Sequence, residues 1–149
     1  MEMSQLIIAR KDLEMSSGKL AAQVSHASMA FLTNMLRSNV CNISGIEDTV
    51  VAIAQFDKDT WNGWINGSFT KIVCEAKNKH HLLRVLELAS ELGLKENVDY
   101  FLIRDNCYTE LQPEEFDDNG IGRTLTCIGF RPLPKDVCRQ LSRKYQLYR

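Results

Sequence analysis

The chain has 149 residues, 44% of them hydrophobic and 25% charged, with a net charge of −1. This fits one globular domain over residues 1–149, with a core large enough to need no staples. No apolar run is long enough to cross a bilayer, the charge exerts no global pull toward nucleic acid, and five cysteines without a C-x-x-C pair argue against a disulfide framework or a zinc ribbon.

In chain order, "QLIIAR" (5–10) is a short apolar run with β-branched residues, predicted to be a strand buried on both sides. The preceding "MEMS" lacks the basic start of a secretory signal, so a cytoplasmic chain with reduced thiols is expected. After the loop "KDLEMSSG", Ser16 or Ser17 caps a helix running from about Lys19 to Arg37. "SNVCNISGIED" (38–48) reads as a loop and 49–64 as a second, shorter helix carrying Trp61 and Trp64. "TKIVCEA" (70–76) is a second strand, and 78–94 is an amphipathic helix with Asn78 as its cap and Gly93 as its stop. "VDYFLIRD" is a third strand, "LQPEEFDDNGIG" an acidic loop, "RTLTCIGF" a fourth strand, and 135–146 a basic terminal helix behind Pro132 and Pro134. The order β-α-α-β-α-β-β-α predicts a three-layer α/β/α fold on a four-stranded mixed sheet.

Two places collect chemistry. In the first helix Lys19, Gln23 and His26 fall within an arc of roughly 60°, so a polar seam runs beside the apolar stripe of Leu20, Val24, Ala27 and Phe31. A cation in the opening turn works against the helix dipole, which points to another use for Lys19. After the third strand, "RDNCYTE" places Asp105 and Thr109 on a turn. If strands one and three run parallel, both loops share one edge of the sheet, where open α/β sheets form their sites. Taken singly, each residue has a plainer use: a solvated lysine, a turn aspartate, a packed histidine. "KHH" (79–81) lacks metal-ligand spacing, so neither a metal nor another cofactor is expected.

The segment "ARKDLEMSSGKLAAQVSHASMAF" closely resembles the opening of the type 2 peptidyl-tRNA hydrolase family, whose pattern is R-x-D-L-x-M followed by G-K-x-A-A-Q-x-x-H-A. The likeness continues through "GSFTKIV", "IRDNCYTEL" and "TLTCIGFRPLP", nearly the whole chain. It implies hydrolysis of the ester between a peptide and the tRNA 3′ end, without a metal, by a soluble protein that often forms homodimers. By the resemblance Lys19, Asp105 and Thr109 are the catalytic candidates, with Gln23, Lys71 and His26 as substrate contacts; along the polar seam Lys19 is expected at the lip, Gln23 behind it and His26 deeper. Where the family usually reads D-A-G-x-T, this chain has Asp105-Asn106-Cys107-Tyr108-Thr109, and "PEEFDDNGIGRT" replaces a short turn.

Ester hydrolysis needs a held water, a group for its proton and positive charge at the forming oxyanion. Asp105 is expected to orient or deprotonate the water, Lys19 to stabilise the oxyanion and Thr109 to hold water or substrate; the inverted assignment makes Lys19 the base. Phosphate contacts are expected from Lys11, Lys71 and the basic terminal helix. The alternative is a catalytically inactive module of the same fold acting as a protein or RNA adaptor.

Overall fold

The computed structural model describes residues 1–41 and 47–149. The chain folds into helices on both faces of one mixed sheet. Strand β1 (Met3–Arg10) is buried along its full length. It pairs in parallel with β4 (Lys71–Ala76) and antiparallel with β7 (Gly122–Phe130). Strand β5 (Tyr100–Asp105) also lies antiparallel to β7, so β1, β4 and β5 point the same way and β7 opposes them. The carboxyl ends of β1 and β5 therefore share one edge, as the two-loop arrangement requires.

Alternation along β1 divides the core. Leu6 and Ile8 face α3 (Lys79–Leu83), α4 (Val85–Glu91) and α5 (Lys135–Ser142) through Leu82, Val85, Ala89, Cys138 and Leu141. Ile7 and Ala9 face α1 (Ser17–Ser38), where Ala27, Leu20 and Val24 pack. On that same side Met3 meets Phe31 and Trp64.

Four longer strands match the four expected, but the sheet has seven: β6 (Glu115–Phe116), β8 (Leu133–Pro134) and β9 (Gln146–Leu147) add two residues each at its margins. Runs this short carry no readable period. The acidic stretch is thus partly a hairpin arm on β7, not wholly a loop. The predicted second helix also starts later. Val51–Ala52 (β3) pairs with Val40–Cys41 (β2), and helix begins at α2 (Lys58–Thr60), where the Asp57 carboxylate accepts the Thr60 amide. Mixed apolar spacing over 49–57 concealed an extended segment followed by a cap. A wide π-helical stretch continues through Trp61–Ser68, and its backbone leaves helical geometry at Gly67. Of the predicted loop 38–48, residues 42–46 lie outside the described residues. The helix expected over 78–94 is broken at Arg84, with Asn78 capping it and Gly93 ending it at φ +76°.

One close approach sets where α1 lies. A Cβ on Gly129 would stand 2.3 Å from the Ala27 carbonyl oxygen and 2.9 Å from the Ala27 Cβ, so β7 and α1 touch through a residue with no side chain. Gly129→Ala is expected to cost about 2–3 kcal/mol by overpacking and to push α1 off the sheet, read as a lowered midpoint in urea unfolding.

Candidate active site

Helix α1 starts beside the carboxyl end of β5. Its cap is Ser16, whose Oγ accepts the Lys19 amide at 3.3 Å. Glu110 completes that end: its carboxylate accepts the Ser16 amide at 2.9 Å and the Ser16 hydroxyl at 2.6 Å. Those two bonds hold the Glu110 carboxyl below the usual carboxylate range. A negative charge at the helix N-terminus offsets the unfavourable placement of Lys19 in the first turn.

From that turn the Lys19 ammonium reaches Asp105 Oδ1 at 2.7 Å and Thr109 Oγ1 at 3.2 Å. Gln23, one turn on and 2% exposed, donates its amide to the same Oδ1 at 3.1 Å. Oδ2 accepts the Cys107 amide at 2.9 Å. The ion pair is screened from water, with the Lys19 and Asp105 side chains 14% and 10% exposed. Lys19, Gln23, Asp105 and Thr109 thus form one bonded cluster. A carboxylate held by two donors on one oxygen, one of them an ammonium, and one on the other, with a hydroxyl beside that ammonium, is equipped to orient a water and to stabilise new negative charge.

Two candidates stand apart. His26 is exposed on α1, so it lies outside Gln23 rather than deeper, because the helix turns its buried face through Gln23, Ala27 and Phe31. Lys71 opens β4 opposite Gln5, at the far end of the sheet from Ala76 and hence roughly 16 Å along the strand from the site edge. Its ammonium sits over the Phe69 ring at 3.2 Å, and burial lowers its pKa. Among the described residues no group of three His, Cys, Asp or Glu side chains stands together as metal ligands.

The family model described as "Peptidyl-tRNA hydrolase PTH2" matches residues 3–148. A relative from Methanopyrus kandleri, named peptidyl-tRNA hydrolase, is 34% identical over 128 residues, covering 86% of this chain and 83% of its own. One of the same name from Haloquadratum walsbyi is 30% identical over 146 residues, covering 98% and 100%. Another, from Thermoplasma acidophilum, is 25% identical over 142 residues, covering 95% of each chain. The chain belongs to the peptidyl-tRNA hydrolase PTH2 family.

Within that PTH2 frame the departure at the turn has a structural reading. Cys107 holds the left-handed conformation at φ +61°, the one glycine adopts most readily, while its amide donates to Asp105 Oδ2. Thr126, fully buried on β7, was not among the candidates above, yet its hydroxyl donates to Gln23 Oε1 at 2.6 Å. The available signal was a pair of threonines, Thr124 and Thr126, inside an otherwise apolar strand. Nor was Arg10 among those candidates; 3% exposed, it donates to Asp12, Glu114 and the Leu125 carbonyl. Burial alone would loosen the Arg10 proton, but the bonds to Asp12 and Glu114 outweigh it and hold the guanidinium charged.

Cys107→Gly is expected to keep the amide bond to Asp105 and to raise stability by about 0.5–1 kcal/mol through released backbone strain, measured by thermal unfolding. Cys107→Val should instead lower stability. The other thiols differ: burial raises the Cys74 pKa and pushes Cys127 up to about 12 and Cys138 to about 11. Iodoacetamide at pH 8 is therefore expected to label Cys107 and Cys41 in the native protein and all five only after unfolding, as counted by mass spectrometry.

Proposed function

We infer that this chain hydrolyses the ester joining a peptide, or an N-blocked amino acid, to the 3′ end of tRNA, and so returns free tRNA to translation in the cytoplasm. The observation that carries this is the bonded cluster of Lys19, Asp105 and Thr109 at the sheet edge of a PTH2-family chain. In this mechanism Asp105 Oδ2 takes the water proton, and the water oxygen attacks the ester carbonyl. Lys19 carries the charge of the resulting oxyanion, while Thr109 holds the water against Asp105. Collapse of the intermediate breaks the bond to the ribose oxygen, which recovers the proton. An ammonium 2.7 Å from Oδ1 favours Asp105 over Lys19 as the proton acceptor.

Phosphates of the tRNA have a basic wall nearby: Lys11, Lys77, Arg143 and Lys144 help line a cavity of about 700 Å³ beyond the end of β1. Acidic side chains share that lining, so contact there positions the backbone without reading sequence. His26, seven residues along α1 from Lys19, is assigned a substrate contact outside the bonded cluster. Lys71 is assigned no part in the chemical step. A homodimer is also proposed, supported by the apolar area of Ile53, Trp61 and Phe69, which are 46%, 48% and 50% exposed.

The test is release of N-acetylated amino acid from N-acetyl-aminoacyl-tRNA, with unblocked aminoacyl-tRNA in parallel. Lys19→Ala and Asp105→Asn are each expected to lower kcat by about 100-fold or more while the proteins stay folded. The native rate at subsaturating substrate should fall as salt rises. A folded native chain that releases nothing from either substrate would leave the inactive adaptor as the better account.

A further inference from the structure

The pairing of β5 with β7 slips by one residue. Ile103 pairs with Cys127 but Arg104 pairs with Leu125, so Thr126 is the extra residue of a β-bulge. A bulge reverses side-chain alternation. Beyond it Ile128 and Phe130 face the core under α3 and α5, and before it Leu125 faces that same core. Thr126 is thereby turned toward α1, where its hydroxyl has one proton and two acceptors: Gln23 Oε1 at 2.6 Å and the Ile103 carbonyl at 3.2 Å.

The nearer acceptor decides which way the Gln23 amide points. With Oε1 on the threonine hydroxyl, Nε2 faces Asp105 Oδ1 and donates to it. The reverse orientation would set an amide oxygen against a carboxylate. Thr126 and Gln23 are 0% and 2% exposed, so neither can turn to water instead. The other groups facing Asp105 are Lys19 from α1 and Cys107 and Glu110 from the following turn.

We propose that Thr126 is a positioning residue for the hydrolysis assigned above: through Gln23 it occupies Asp105 Oδ1 and leaves Oδ2 to handle the water. The inference rests on that activity. In Thr126→Val the donor is gone at nearly constant shape, so Gln23 Oε1 is left buried without a partner and the amide is no longer held against Asp105 Oδ1.

On N-acetyl-aminoacyl-tRNA, Thr126→Val is expected to lower kcat about ten-fold with KM within about two-fold. Its acid limb in a kcat–pH profile should move to higher pH, because a carboxylate that loses a donor binds its proton more readily. Thr126→Ser keeps the hydroxyl and is expected to restore both the rate and the limb. A merely structural role would lower stability without moving the limb. If the native chain is active and Thr126→Val matches it in kcat and profile, the positioning role is overturned alone. If the native chain has no turnover, the assigned hydrolysis falls and the role with it. Should Thr126→Val melt below the assay temperature, NMR of the native protein decides. A slowly exchanging Thr126 hydroxyl proton with a nuclear Overhauser contact to the Gln23 side chain supports the role, and a freely exchanging hydroxyl overturns it.

Discussion

One extra residue in β7 is the constraint on which the site depends. Without the bulge, Thr126 would sit in the ladder with its side chain toward the opposite core, and Gln23 would have a buried amide oxygen with no donor. The bulge is itself held. Arg10, at the end of the most deeply buried strand, donates to the carbonyl of Leu125, the residue just before the slip. That guanidinium is kept charged by Asp12 and Glu114, so the acidic segment after Asp105 serves the strand edge from within. Glu115 pairs with Lys79 and Arg104, which hold its carboxyl low.

This arrangement resolves an apparent conflict of charge. Residues 105–118 carry acids only, beside a site proposed to receive a polyanion. Glu110 is consumed at the α1 N-terminus, Glu114 by Arg10, Glu115 by Lys79 and Arg104, and Asp105 by Lys19, which leaves Asp117 and Asp118 as the acids of this stretch outside these pairings. Paired charges present little net field at the distances over which a phosphate backbone approaches, while Lys77, Arg143 and Lys144 line the neighbouring cavity.

Most of the architecture was legible because long elements carry a period. The buried run of β1 and the capped α1 follow from apolar runs and caps, and the edge shared by Lys19 and Asp105 follows once β1 and β5 run parallel, as they do. What escaped detection has physical causes. Two-residue strands have no period, and the apolar residues at 49–57 fit either a helix or a strand until Asp57 caps the turn. His26 shares the angular arc of Lys19, yet angle alone does not give depth: α1 buries Gln23, Ala27 and Phe31 and leaves His26 exposed. Lys71 belongs to a strand parallel to β1, so its place at the strand's start puts it at the opposite end from the site. The bulge was unreadable, because a register slip depends on the partner strand and leaves no mark in "RTLTCIGF" itself.

The same dependence on backbone geometry explains how this chain keeps its turn with an unusual residue. Asp105 Oδ2 accepts the Cys107 amide, and at that same residue the backbone turns left-handed. A glycine adopts that conformation without strain, whereas a cysteine must be held there. The surrounding contacts supply the hold. The Cys107 thiol lies 3.5 Å from Thr124 Oγ1, which itself donates to the Gln112 carbonyl at 2.6 Å and accepts the Glu114 amide at 3.1 Å. The strained turn, the inserted acidic arm and β7 are therefore joined through one buried threonine hydroxyl, just as α1 and Asp105 are joined through the next inward-facing one. Two threonines, two residues apart on one strand, link the segments that differ from the family pattern to the carboxylate they surround.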